Sequence, residues 1–158
     1  GAFLESLELK GNERFSILSN SGFSKCLLHL PLSEKAVIVP NDSSTSTDKL
    51  MELLCLFHVD YVLTDSTDSE KCKHALKASL GVIAYSIDGE SGNMHISLEL
   101  VQASSEKTVS PFKKAHQIFI MPTSGTTSIP KIVPINYRAI KSAVKEIGER
   151  YKIGVGGF

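Results

Sequence analysis

The stretch Met121-Pro122-Thr123-Ser124-Gly125-Thr126-Thr127-Ser128-Ile129-Pro130-Lys131 carries the residue types that cradle a polyphosphate. Gly125 lets the backbone approach an anion closely and take positive φ. Successive backbone N–H groups can line a concave nest. The hydroxyls of Thr123, Ser124, Thr126 and Thr127 can donate to phosphate oxygens. Lys131 is a compact positive charge suited to a terminal phosphate. The common P-loop is built differently, with Gly-x-x-x-x-Gly-Lys-Ser/Thr opening directly into a helix. Here there is one glycine, Pro130 precedes the lysine, and a β-like run follows. On composition alone, a Ser/Thr-rich turn in a hairpin accounts for the same residues.

Nothing else in the chain matches this density of chemistry. The five histidines, at 29, 58, 74, 95 and 116, stand on different elements without ligand spacing, so no metal site is assigned. Cys72 and His74 are two apart on a predicted helix and do not share a face. Asp65 and Asp68 follow a strand, where capping fits better than acid–base work. Arg138, at the start of the last predicted helix, stands either near the phosphate segment or in solvent. Residues 102–114 read as a solvated loop around Pro111.

The elements that must position the segment alternate. Arg14 to Ser19 reads as a strand. Phe23, Cys26, Leu27 and Leu30 follow at helical spacing until Pro31, which should stop the helix. Ala36 to Val39 is a buried strand ended by Pro40. Leu50, Leu53, Leu54 and Phe57 form an i, i+3, i+4, i+7 stripe. Tyr61 to Thr64 is a strand. Cys72, Ala75, Leu76, Ser79 and Leu80 form another stripe, which Gly81 is placed to end. Val82 to Tyr85 is the next strand, and Asp88 to Asn93 is a turn-rich break. Beyond it come strands at His95 to Val101, Gln117 to Met121 and Lys131 to Ile135. A final helix spans Tyr137 to Tyr151, capped by Asn136, with Ile140, Ala143, Val144, Ile147 and Tyr151 on one face. Alternating strands and helices, with strands apolar on both faces, predict an α/β fold with a mainly parallel sheet. Residues 1–158 read as one α/β subdomain, βαβ units over 1–88 and the phosphate segment with its helix over 89–158.

Composition narrows the function classes. The 158 residues are 42% hydrophobic and 22% charged, which excludes a fibrous or wholly disordered chain. Lys plus Arg and Asp plus Glu are 17 each, so a nucleic-acid binder that neutralises phosphates is not indicated. No apolar run reaches the length of a membrane span. Cys26, Cys55 and Cys72 are odd in number, form no Cys-x-x-Cys, and read as buried hydrophobes in a reducing, cytoplasmic compartment. The chain opens Gly1-Ala2 with neither an initiator Met nor a signal peptide, so the numbering need not begin at a natural start.

Residues Thr123-Ser124-Gly125-Thr126-Thr127-Ser128-Ile129-Pro130-Lys131-Ile132-Val133 resemble the phosphate-loop signature of the adenylate-forming (AMP-binding) superfamily, Thr-Ser-Gly-Thr-Thr-Gly-x-Pro-Lys-Gly-Val. Its members include acyl-CoA synthetases, luciferases and nonribosomal peptide adenylation domains. Weaker similarity runs upstream, through Gly11 to Ser21, Ala36 to Asp42 and Asp60 to Asp65. Two positions depart from the pattern. Ser128 replaces the second glycine, and Ile132 replaces the glycine after the lysine, where a β-branched residue restricts the backbone.

The resemblance implies the N-terminal portion of the large domain of an acyl-CoA-synthetase-like ligase. It implies ATP and Mg2+, a carboxylic acid substrate, and coenzyme A or a carrier thiol as acceptor. On it, Thr123, Ser124, Gly125, Thr126, Thr127, Ser128 and Lys131 hold the β- and γ-phosphates, and none of them is a general base or nucleophile. The family's ribose, adenine and adenylation-lysine motifs do not occur in these residues. The isolated chain is therefore expected to bind phosphate without completing catalysis, and a bare sheet edge would favour its self-association. Two rival readings stay open: a non-catalytic relative serving as a binding or interaction module, and an unrelated flavodoxin-like nucleotide-binding domain.

Overall fold

The computed structural model describes residues 9, 13–90, 93–105, 117–123 and 131–152. In chain order these form β1 (Arg14–Leu18), α1 (Gly22–Ser33), β2 (Val37–Ile38), α2 (Thr47–Leu56), β3 (Tyr61–Thr64), α3 (Glu70–Lys77), β4 (Gly81–Glu90), β5 (Asn93–Gln102), β6 (Gln117–Thr123), β7 (Lys131–Asn136) and α4 (Tyr137–Tyr151). The strands make one sheet in the order β5-β4-β3-β1-β2-β6-β7. Its five inner strands are parallel, and β5 and β7 are added antiparallel at the two edges. The predicted α/β class with a mainly parallel sheet is therefore the observed one.

The strand order explains the layering. The step from β1 to β2 runs one way along the sheet, and the returns to β3 and β4 run the other. Right-handed crossovers then place α1 on one face and α2 with α3 on the opposite one. The two cores follow from strand alternation. Phe15, Ile17, Ile38, Leu63 and Ile83 pack with Leu28 and Leu32 of α1. Leu18, Val37, Val39, Val62 and Val82 pack with Leu50, Leu54, Cys72 and Ala75 of α2 and α3.

Four expectations are corrected. Pro31 does not stop α1, which continues to Ser33. Leu28 and Leu32, one turn apart and both buried, hold that last turn against the sheet despite the lost N–H bond. Gly81 does not end α3. That helix ends at Lys77 with Ala78 as its C-cap, the left-handed conformation falls on Ser79 (φ 60°), and the Leu80 N–H donates to the Ala75 carbonyl. Gly81 instead opens β4, where a Cβ would run into the ring of Tyr61. The break after Asp88 starts later than expected, because β4 continues to Glu90 in register with β5. Of the cysteines only Cys72 is buried, while Cys26 and Cys55 lie on the outer faces of their helices. Burial pushes the Cys72 thiol up.

Ser79 is a non-glycine residue in the left-handed region, which costs about 1–2 kcal/mol in an L-residue. Ser79→Gly should therefore raise stability by about 1 kcal/mol, a gain partly offset by glycine's unfolded-state entropy. A rise of about 2–4 °C in thermal midpoint is the expected readout.

Asn136 caps α4 as expected, accepting from the Ala139 N–H at 2.8 Å. Its apolar stripe is uncovered among the described residues, with Val144 63% and Tyr151 68% exposed. No helix among the described residues is long and apolar enough to cross a membrane.

Candidate functional site

The two strands that flank the phosphate segment are hydrogen-bonded to each other. β6 and β7 pair antiparallel from Gln117 opposite Asn136 to Thr123 opposite Lys131. Thr123 and Lys131 are thus cross-strand partners. Ser124, Gly125, Thr126, Thr127 and Ser128 lie outside the described residues.

Register places the Thr123–Lys131 end of this ladder on the sheet. Phe15 is opposite Ile38 and Tyr61, Tyr61 opposite Gly81, and Ile38 opposite Phe119, so these five share one row. Counting four residues along each parallel strand gives Ser19, Asp42, Asp65, Tyr85 and Thr123. These residues mark the carboxyl end of the parallel strands, where open α/β sheets bind their ligands. Arg138 is at the other end. Asn136 pairs with Gln117, six residues from Thr123, or roughly 20 Å of strand. Of its two readings, proximity to the phosphate segment is therefore excluded.

A polar cleft of about 450 Å3 opens at this carboxyl edge, lined by Ser19, Asn41, Ser43, Asp65, Ser66 and Lys71 among others. It lies where β1 and β3 send their helices to opposite faces, the topological switch point of the fold. Its floor is hydrogen-bonded. Asp65 Oδ2 accepts from Ser19 Oγ at 2.6 Å and from the Tyr85 hydroxyl at 3.2 Å. Ser19 Oγ also accepts from the Ser21 N–H at 3.0 Å. Asn41 Nδ2 donates to Ser16 Oγ and to the Ile17 carbonyl, both at 2.8 Å. Asp65 thus ties β1 to β4 and caps no helix; Ser69 caps α3, accepting from the Cys72 N–H at 3.2 Å.

Two lysines hold the loop after β2. Lys25 Nζ donates to the Asn41 carbonyl at 3.0 Å and to Asn41 Oδ1 at 3.3 Å. Lys71 Nζ donates to the Ser43 carbonyl at 2.7 Å. Burial lowers the Lys25 ammonium below its ordinary value and the charge of Lys71 adds to the fall, against the pull of Asp42. The Ser44 backbone N–H and hydroxyl hold the Asp42 carboxyl below the usual range, helped by Lys25 and Lys71. Burial raises the Tyr85 hydroxyl. Ser19, Asn41, Asp65 and Tyr85 were not singled out as a group by spacing, because they lie on different strands. Their shared signal is position just past, or on the fourth step of, a parallel strand. A second cleft of about 430 Å3, lined by Cys55, His58 and Ser79, sits by the C-termini of α2 and α3, away from the carboxyl edge.

Of the histidines, His29, His58, His74 and His95 lie on or beside four different elements, and His116 lies outside the described residues. His29 packs edge-on against Phe119 with ring centroids 5.8 Å apart, and burial lowers its imidazole below the ordinary value. His58 is a left-handed residue (φ 49°) just after α2. Among the described residues no group of three or more His, Cys, Asp or Glu is placed to hold a metal ion.

Comparison with known proteins agrees with this geometry. The family profile described as "AMP-binding enzyme" matches residues 2–156. Nonribosomal peptide synthetase 8 of Aspergillus fumigatus is 25% identical over 115 residues, 73% of this chain and 1% of the synthetase. The crystal structure of IdnL1 superposes with a TM-score of 0.68 at 19% identity, covering 97% of this chain and 28% of that one. ATP-bound MatB from Rhodopseudomonas palustris superposes with a TM-score of 0.64 at 16% identity, covering 96% of this chain and 30% of MatB. These structural likenesses show the fold, and the chain spans under a third of each of these three proteins. Matched by the family profile over nearly its whole length, the chain belongs to the AMP-binding enzyme family.

Proposed function

We propose that this chain is the phosphate-holding part of an ATP-dependent ligase that activates a carboxylic acid as its acyl-adenylate and passes the acyl group to a thiol such as coenzyme A. In the first step a carboxylate oxygen bonds to the α-phosphorus as the bond to pyrophosphate breaks. In the second a thiol sulfur bonds to the acyl carbon, the thiol proton is lost, and AMP leaves. The observation that supports the reading is the pairing of Thr123 with Lys131, the two ends of the hydroxyl-rich segment, in the ladder that β6 carries beside the parallel strands. The role assigned to this chain is positioning and charge stabilisation. Thr123, Ser124, Thr126, Thr127 and Ser128 would donate to the β- and γ-phosphates, Gly125 would permit close approach, and Lys131 would meet the terminal charge.

Mg2+, when bound, would neutralise phosphate charge. ATP-bound MatB supports the nucleotide in this reading. We assign 1–88 to the scaffold and 89–158 to the phosphate-loop region within one subdomain. The second reading, a nucleotide-binding relative without ligase activity, is favoured by Ile132, which stands in ladder register opposite Pro122 where the family pattern has glycine.

Calorimetric titration of the 158-residue chain with MgATP and with pyrophosphate tests the loop assignment. Lys131→Ala should weaken both at least about tenfold, equivalent to about 1.4 kcal/mol, with unchanged circular dichroism. Equal binding by the variant would remove the loop from the site. The isolated chain should show no acid-dependent ATP–pyrophosphate exchange; measurable exchange would contradict the division of labour proposed here.

A further inference from the structure

β5 is an edge strand among the described residues, and it is unprotected. Proteins blunt such edges with lysine, proline or short length. The opposite edge, β7, has both Lys131 and Pro134 within six residues. β5 runs ten residues, Asn-Met-His-Ile-Ser-Leu-Glu-Leu-Val-Gln, with no lysine and no proline. Its register with β4 sets the faces. Met94, Ile96, Leu98 and Leu100 lie opposite Gly89, Ile87, Tyr85 and Ile83, on the side of the α1 core. His95, Ser97 and Glu99 lie opposite Asp88, Ser86 and Ala84 on the other face.

This strand is complementary to itself. Paired antiparallel with a second copy about Ser97, it sets Ile96 opposite Leu98, Met94 opposite Leu100, His95 opposite Glu99, and Ser97 opposite Ser97. Each unlike pair occurs twice. A one-residue slip would oppose apolar and polar faces, and a two-residue slip would keep the faces but lose both His–Glu pairs. We propose that β5 is the docking edge for a second copy of this chain, joined antiparallel about Ser97 into one continuous sheet. The interface is isologous, so it closes at two copies. Main-chain hydrogen bonds supply the attachment, and the alternating side chains fix the register. The apolar face of the ribbon, where Met94 is 57% and Leu100 42% exposed, would then run on into that of the second copy.

Sedimentation equilibrium of the 158-residue chain over a concentration series tests this, together with Met94→Lys and Glu99→Lys. Both side chains are exposed and face Gly89 and Ala84 within their own ribbon, so the monomer should keep its fold and melting midpoint. Each substitution should raise the dimer dissociation constant at least about tenfold. A chain that stays monomeric throughout overturns the proposal. So does a dimer that survives both substitutions, or one abolished instead by Val144→Glu on α4. If either variant unfolds, amide exchange of the unaltered chain decides. Protection of residues 94–100 that grows with concentration supports the edge, and its absence overturns it.

Discussion

Arg14→Leu should cost about 3–5 kcal/mol, because it removes one member of a buried pair of opposite charges. Arg14 is 2% and Asp60 5% exposed, at the start of β1 and just before β3. The Arg14 backbone N–H donates to Asp60 Oδ2 at 2.8 Å, and the Arg14 guanidinium donates to the Phe57 carbonyl at the end of α2. Burial lowers the guanidinium from its ordinary value and the charge of Asp60 opposes the fall. Leucine would fill much of the volume while removing the positive charge beside Asp60 and the guanidinium donor to the Phe57 carbonyl. The urea midpoint should fall sharply with an unchanged slope. Replacing Asp60 by Asn in the same background should recover part of the loss, since it removes the remaining buried charge. A loss below 1 kcal/mol in the single variant would mean that solvent reaches the pair.

Phe57→Ala should cost a similar amount, about 3–5 kcal/mol, through a different mechanism. Phe57 is fully buried among Leu50, Leu54, Val59 and Cys72, at the point where α2 gives way to β3. Truncation removes apolar contacts and leaves a cavity that the surrounding strands cannot close without losing ladder hydrogen bonds. Thermal denaturation should show a fall of about 10 °C, at roughly 2–4 °C per kcal/mol for a chain of this size. The Arg14 and Phe57 changes share the Phe57 carbonyl, so their costs should not add. The coupling should exceed the few tenths of a kcal/mol expected of independent sites.

Much of the molecule is legible without coordinates because its strands are buried on both faces. Ala36-Val37-Ile38-Val39 and Tyr61-Val62-Leu63-Thr64 are short apolar runs; the first holds the two-residue strand β2 at Val37–Ile38, and the second is β3 throughout. Tyr137 to Tyr151 reads as a capped amphipathic helix and is one. The errors fall where two local rules compete. Proline usually ends a helix, yet the burial of Leu32 carries α1 past Pro31. Glycine usually caps a helix, yet Gly81 is required by the ring of Tyr61, itself stacked on Phe15 at 5.1 Å, and the cap falls to Ser79. Asp65 follows a strand and precedes a helix, so capping was the local reading. Its partners, Ser19 and Tyr85, are supplied by neighbouring strands.

Sequence alone determined the α/β class and the alternation of elements, and it singled out the hydroxyl-rich segment proposed to hold phosphate, because each rests on contiguous residues. Tertiary structure decided strand order, register and the end of the sheet at which each group stands. Those follow from which strands pair, and pairing is set by burial on two faces at once, summed over residues far apart in the chain. Hence Thr123 and Lys131 were legible as a motif, whereas the row that aligns Thr123 with Ser19, Asp42 and Asp65 exists only once β6 pairs with β2, and β1 with β2 and β3.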